Sequence, residues 1–292
     1  MASNIEKDLH IRELTSQEAG NTSTPRVKPP PKSGSEKIPV PFSYIPSDDG
    51  TDENLLVLVH GLGDTHIPFA KMGRQLKLPQ TAVLALRAPE QIPFLYEEAY
   101  QWYTSFDSLG ELITNPNPTS AIQLLQKVVQ HLTTECQWPL NRIHWFGFAQ
   151  GGSVVLEFGL WWWKEKQLLA AGRALPSSEA GVSETPTTSF GSITTVSGPL
   201  LSYPSLSTLP PTPVLAVSRP RPSELAFSTN DISAFKKGFR VFKEVKYDDA
   251  NGGMPVGKAE WEPVMRFWSE RLERKVGGES DAGLYEVLSG FL

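Results

Sequence analysis

The sequence predicts a single α/β domain built on a mostly parallel central sheet with helices on both faces. Two observations carry that expectation. Runs such as Leu55-Leu56-Val57-Leu58-Val59 and Ala82-Val83-Leu84-Ala85-Leu86 are apolar at every position, as strands covered on both faces must be. Stretches of helical periodicity alternate with these runs, the order of a parallel sheet with crossover helices. At 292 residues, 39% hydrophobic and with eight Trp, the chain has enough apolar surface for one sizeable core.

The elements follow in order. Residues 1–36 are poor in large apolar side chains and contain Lys28-Pro29-Pro30-Pro31-Lys32. Such a segment buries too little surface to offset its ordering entropy, so it reads as a disordered, solvated tail before a domain at 37–292. Leu55 to His60 and Ala82 to Leu86 are the first two strands. A helix from 120 to about 136 repeats Ile122, Leu125, Val129, Leu132 and Cys136 at helical spacing, with Ser120 and Gln123 as a capping box. Arg142 to Phe148 is a strand, and a helix follows from Ser153. The polar stretch at about 172–188 reads as a long surface loop. Ser192 to Val196, Val214 to Val217 and Arg240 to Tyr247 are further strands. Glu260 to about Val276 closes the domain as a helix, with Trp261, Val264, Met265, Trp268 and Leu272 facing inward.

Composition narrows the partners. The net charge of −5, without basic patches among aromatics, argues against nucleic acid. Cys136 is the single cysteine and fits a reducing compartment. The first ten residues lack the apolar region of a secretory signal, and the early Glu6, Asp8 and Glu13 oppose a mitochondrial leader. No apolar run is long enough for a transmembrane segment. The expectation is a soluble cytoplasmic protein with no cofactor.

The chemistry concentrates in Trp145-Phe146-Gly147-Phe148-Ala149-Gln150-Gly151-Gly152. Strand, tight glycine turn, then helix is the setting of a nucleophile elbow, yet its tip is Ala149. His60-Gly61-Leu62-Gly63-Asp64 follows the first strong strand, where an oxyanion-hole loop would lie. With Trp102-Tyr103-x-x-Phe106-Asp107, these motifs resemble the phospholipase/carboxylesterase family of α/β-hydrolases, which includes the acyl-protein thioesterases. The resemblance spans about residues 50 to 275. It implies a small, lidless hydrolase acting on acyl esters or thioesters through Ser, Asp and His.

None of the three catalytic residues carries over. Ala149 occupies the nucleophile position and has no atom to attack a carbonyl. The family's acid would lie in a Gly-Asp-x-Asp-type loop after Val217; the chain has Ser218-Arg219-Pro220-Arg221-Pro222-Ser223-Glu224. Its base would follow Tyr247, where the chain reads Asp248-Asp249-Ala250-Asn251-Gly252-Gly253-Met254-Pro255. The five histidines, His10, His60, His66, His131 and His144, all precede the elbow. The sequence therefore reads as a pseudohydrolase binding an acyl-type ligand or a protein partner. Leu62 and Gln150 are the expected backbone donors, and His60 and Gly61 border the site. The alternative is a carboxylesterase or thioesterase rewired through Ser153 or Glu224.

Other features have plainer readings. Ser153 packs at a helix start, and Cys136 lies on a core face. Trp161-Trp162-Trp163 spans most of a helix circumference, so at least one ring is a candidate anchor for a partner or a lipid surface. Asp248-Asp249 reads as a solvated turn rather than a metal site.

Overall fold

The computed structural model describes residues 10–13, 26–92, 98–173, 188–250, 252–275 and 285–288. Chain order runs β1 (His10–Glu13), β2 (Phe42–Ile45), β3 (Asn54–Val59), α1 (His66–Gln75), β4 (Thr81–Leu86), β5 (Glu90–Gln91), β6 (Tyr100–Gln101) and α2 (Thr119–Thr134). It continues with β7 (Ile143–Phe148), α3 (Gln150–Arg173), β8 (Ser192–Val196), β9 (Val214–Ser218), α4 (Thr229–Gly238), β10 (Phe242–Lys246), α5 (Gly257–Ser269) and β11 (Tyr285–Leu288). Seven strands form the main sheet in the order β10-β9-β8-β7-β3-β4-β2. Every pairing is parallel except β2 with β4. β1 pairs with β11, and β5 with β6, as separate antiparallel ribbons.

The sequence expectation of a covered parallel sheet holds. β3, β4, β8 and β9 are buried at every position. One core packs α2, α3 and α4 against the sheet through Leu125, Val129, Val155, Phe158 and Phe235. The other packs α1 and α5 through Phe69, Val264, Phe267 and Trp268. α3 is buried along its whole first half, from Gln150 to Leu160, which is why its apolar residues surround the axis instead of forming a stripe.

Several expected boundaries shift. α2 starts at Thr119 rather than 120, and Ser120 is not its cap. Asn117 does that work instead, its Oδ1 accepting from the Thr119 N–H (3.0 Å) and hydroxyl (2.6 Å). α5 begins at Gly257 and ends at Ser269. Its continuation docks on polar side chains instead: Asn54 pairs with the Glu273 backbone and Gln80 with that of Lys275. Those four bonds replace the helical ones the expected longer helix would have made. Residues 174–187, most of the expected surface loop, lie outside the described residues, as does Val276.

Of the tail expected to be disordered, residues 1–9 and 14–25 also lie outside the described residues. Residues 26–36, in contrast, form a strap held by polar ties rather than apolar burial. Asp52 accepts from the Lys28 N–H (2.9 Å), and His131 Nε2 accepts from that of Lys32 (2.9 Å). Lys28 Nζ reaches the Gln137 carbonyl, and Lys127 reaches Glu36.

His144 on β7 is fully buried, its Nδ1 2.9 Å from the Ser192 hydroxyl. Burial, reinforced by Arg142 and Arg271, pushes its pKa down to about 3. An unfolded histidine titrates near ~6.5, so the folded chain binds fewer protons between these values. The stability this neutral ring contributes is complete above pH ~6.5 and is lost as pH falls toward the folded value. We expect a slope approaching about 1.4 kcal/mol per pH unit in that window from this residue. Urea midpoints at graded pH check it; His144→Gln should flatten the slope, and an unchanged slope would count against the assignment.

Candidate functional site

The elbow is built by backbone packing. Gly147 and Gly151, the two ends of the Gly-x-x-x-Gly frame, touch each other: a Cβ on Gly147 would lie 2.5 Å from the Gly151 carbonyl oxygen. Gly151 in turn sits against the Val59 and His60 carbonyls. Larger residues at either place would push β7, α3 and the loop after β3 apart. At the tip, Ala149 has φ +46°, a left-handed conformation that costs an L-residue roughly 1–2 kcal/mol. Its N–H donates to the Val196 carbonyl (2.8 Å), and its carbonyl accepts from Ser153 (3.0 Å) to open α3. The strained geometry of a nucleophile turn is thus present with a methyl group at its apex.

The loop after β3 lies beside this turn, with Gly61 against the Phe148 ring. His60 is fully buried. Its Nε2 accepts from the Ala88 N–H (2.9 Å), so its Nδ1 carries the proton and donates to the Gly61 carbonyl (2.7 Å). Burial holds its pKa below the ordinary histidine value. The ring braces its own loop, and both nitrogens are committed. Leu62 is 37% exposed at the loop tip.

Gln150 splits its work between two surfaces. Its N–H lies in the first turn of α3, where no intrahelical acceptor exists. Its buried side chain holds the Trp102–Ser105 segment: Oε1 accepts from the Trp102 N–H (2.6 Å), while Nε2 donates to the Tyr103 carbonyl and the Ser105 hydroxyl (2.8 Å each). Trp102 completes the link by donating Nε1–H to the His60 carbonyl (2.9 Å). Gln150→Ala would orphan three buried groups, and we expect about 2–3 kcal/mol of destabilisation. Amide exchange should accelerate first over 102–105; unchanged protection there would contradict the role.

The acid and base positions hold a different device. Arg219, at the end of β9, is 2% exposed and forms a two-pronged ion pair with Glu260 in the first turn of α5. The same guanidinium donates to the Met254 carbonyl (3.1 Å) and the Asp249 carbonyl (3.4 Å), and it lies 4.6 Å from the Tyr247 ring centre. Glu260 also accepts from the Val256 N–H (2.7 Å). The hydrogen bonds from Arg219 hold the Glu260 carboxyl below the usual carboxylate range. One cation therefore ties together the two loops that in the family carry acid and base. The sequence alone does not pair Arg219 with Glu260, 41 residues away. The available signal was an arginine one residue past the apolar run 214–217, with its head group carried inside.

The remaining candidates are dispersed. Ser153 is buried in the first turn of α3, its N–H bonded to the Ala149 carbonyl. Glu224 is exposed. His66 opens α1, and burial, then Arg87, holds its pKa low. His131 lies on α2, 3.6 Å from Cys136 Sγ, and burial pushes that thiol up to about 11. Among the described residues no histidine ring bonds to the 147–153 turn, and no group of three or more His, Cys, Asp or Glu is placed to hold a metal. Trp161 stacks on Phe158, Trp162 packs on Phe158 and Phe190, and Trp163 donates to the Thr208 carbonyl (2.9 Å). All three rings are half-buried against their own chain. No helix among the described residues is long and apolar enough to cross a membrane.

Comparison with known proteins agrees with this architecture. Residues 42–182 match the family described as phospholipase/carboxylesterase. An uncharacterized hydrolase of Mycosarcoma maydis is 33% identical over 250 residues, covering 84% of this chain and 87% of its own length. Another, from Schizosaccharomyces pombe, is 32% identical over 115 residues, or 37% of this chain and 47% of its own. Among solved structures, acyl-protein thioesterase 2 of Zea mays superposes with TM-score 0.56 at 17% identity, over 80% of this chain and 100% of that one. Esterase PE8 gives 0.57 at 17% identity, over 81% and 100%. At such identities the two structures speak to fold alone.

Proposed function

From membership of the phospholipase/carboxylesterase family, to which this chain belongs, we propose that it is a non-catalytic member that binds an acyl-type ligand or a protein partner without turning it over. The observation that carries this reading is the pairing of Ala149 at the elbow tip with Arg219–Glu260 across the acid and base loops. A hydrolase of this kind needs a nucleophile, a base to take its proton and an acid to orient the base. Here a methyl group, a guanidinium and a solvated Asp-Gly-rich turn stand in those places.

What survives is independent of side chains. The Leu62 and Gln150 N–H groups are the donors we assign to a ligand carbonyl or carboxylate, at the positive end of a long helix with no acid in its first turn. Gly61 lets the loop approach, and His60 fixes its shape. The rewired-hydrolase reading has no comparable support, since Ser153 is buried and none of the described histidine rings bonds to it. The single cysteine leads us to place the protein in the cytoplasm.

The test uses the full chain and an octanoyl ester carrying a chromogenic leaving group. Tryptophan fluorescence should change on binding, and the ester should be recovered intact with release no faster than in buffer. Release above the buffer rate that disappears in Ser153→Ala would establish the rewired enzyme instead.

A further inference from the structure

We propose that the strap at 26–36 is a proton-released latch: protonation of His131 lifts the strap from the end of α2 and uncovers Cys136. The strap crosses the last turn of α2 and the connection into β7, and its ties fall on both sides of the thiol. Lys37, just past the strap, pairs with Glu135 (2.6 Å), and the Lys32 N–H meets His131 Nε2 (2.9 Å). Lys28 Nζ reaches the Gln137 carbonyl (3.0 Å) and lies 5.9 Å from the Trp138 ring centre. Cys136 is 1% exposed between them, its Sγ 3.6 Å from the same nitrogen that holds Lys32.

The His131 tie differs in kind from the others. The ring is buried, and its Nε2 accepts a backbone N–H. A neutral imidazole has one acceptor nitrogen, so the proton sits on Nδ1, 3.1 Å from Glu135 Oε1. An imidazolium has no acceptor at all. A second proton therefore sets N–H against N–H, and the strap must lift for the Lys32 amide to reach water. The ties that flank this one are exposed ion pairs, Lys37–Glu135 and Lys127–Glu36, which hold weakly. Asp52, which also accepts from the Tyr44 hydroxyl, anchors the far end at the Lys28 N–H and supplies the hinge.

The surrounding charges receive the proton without stranding it. Glu135 faces the ring from the same helix, and the hydrogen bond from Lys37 holds its carboxyl below the usual carboxylate range, so it stays an anion there. Burial raises the Cys136 thiol to about 11, so it is neutral. Lys32 and Lys37 oppose the proton from the strap side, but Lys37 is already paired. Lys127, one turn back on α2, is paired with Glu36. Holding the strap requires an unprotonated Nε2. It is complete above the range in which imidazoles titrate and is lost as pH falls through that range. His131 and Cys136 stand before the entry to β7 and the elbow at its exit, so the test is independent of the proposed function.

The single cysteine reads the strap directly. The full chain is labelled with dithiodipyridine, a disulfide that reacts with thiols in mild acid, and each rate is divided by that of a cysteine peptide at the same pH. Between about pH 7.5 and about pH 5.5, a window that spans imidazole titration, the normalised rate should rise about tenfold, the equilibrium factor of one lost hydrogen bond. His131→Gln, whose amide oxygen accepts from Lys32 at any pH, should abolish the rise. His144→Gln, which removes the acid sensitivity of the whole fold, should keep it. Lys37→Ala/Lys127→Ala should speed labelling several-fold at the upper pH, where His131 is neutral. A normalised rate in the unmodified chain that does not change with pH would overturn the proposal. So would a rise that persists in His131→Gln, or one that vanishes in His144→Gln.

Discussion

Glu260→Ala is expected to destabilise the protein by about 3 kcal/mol, the lower end of the cost of stripping one partner from a buried ion pair. The lower end applies because the Glu260 side chain is 21% exposed whereas that of Arg219 is 2% exposed. Removing the carboxylate leaves a guanidinium buried with only carbonyls for company, and the Val256 N–H loses its acceptor. Replacing both partners, Arg219→Met with Glu260→Leu, should recover most of the loss, because no charge is then left stranded. The sign with pH follows from the depressed Glu260 carboxyl. Its contribution is complete above the unfolded glutamate value of ~4.3 and is lost as pH falls through the lower folded value. Urea unfolding of the single and double variants provides the measurement. A double variant as unstable as Glu260→Ala would mean that the pair matters through packing rather than charge.

Ala149→Ser is expected to leave esterase activity no more than roughly 10³–10⁴-fold above the uncatalysed rate, far below that of an intact triad. The elbow would accept the hydroxyl, since Ala149 already holds the required left-handed backbone. Nothing beside it would activate the oxygen. The imidazole that braces the adjacent loop, His60, has both nitrogens engaged, to Ala88 and Gly61. In the loop where the family's acid would stand, Arg219 is locked to Glu260 of α5, and the turn at the base position holds no histidine. An oxyanion hole and binding alone supply roughly 10³–10⁴-fold over water, out of the far larger acceleration of an intact triad. The variant should therefore show no burst with a chromogenic ester. Turnover well above that residual range would mean an unrecognised base reaches the tip.

The parts of the fold that could be read from sequence were those set by local pattern. β3, β4 and β9 read as apolar runs because both faces are covered, and the elbow announced itself through Gly147 and Gly151. β2 escaped notice because Phe42–Ile45 is a short edge strand, half-buried throughout. α4 does carry a local signal, the reciprocal Ser228–Asp231 capping box. The strap at 26–36 misled because composition reports apolar burial, whereas this segment is fixed by Asp52 and His131, distant polar acceptors.

The site divides in the same way. The missing Ser, Asp and His were visible as residue types at fixed places in a motif. The device that replaced them was not, because Arg219 and Glu260 are 41 residues apart and meet only when β9 and α5 pack. His60 was legible as a residue bordering the site from its place after a strand, but its protonated nitrogen is set by Ala88, which only the folded chain brings to it.

The central claim is that this chain keeps the turn of a serine hydrolase without its chemistry. A fluorophosphonate serine probe applied to the unmodified full-length protein tests it most directly, read by intact mass and compared with a heat-denatured control. The account predicts no adduct above that control. Stoichiometric labelling of one serine, lost on denaturation and mapped near the 147–153 turn, would contradict it.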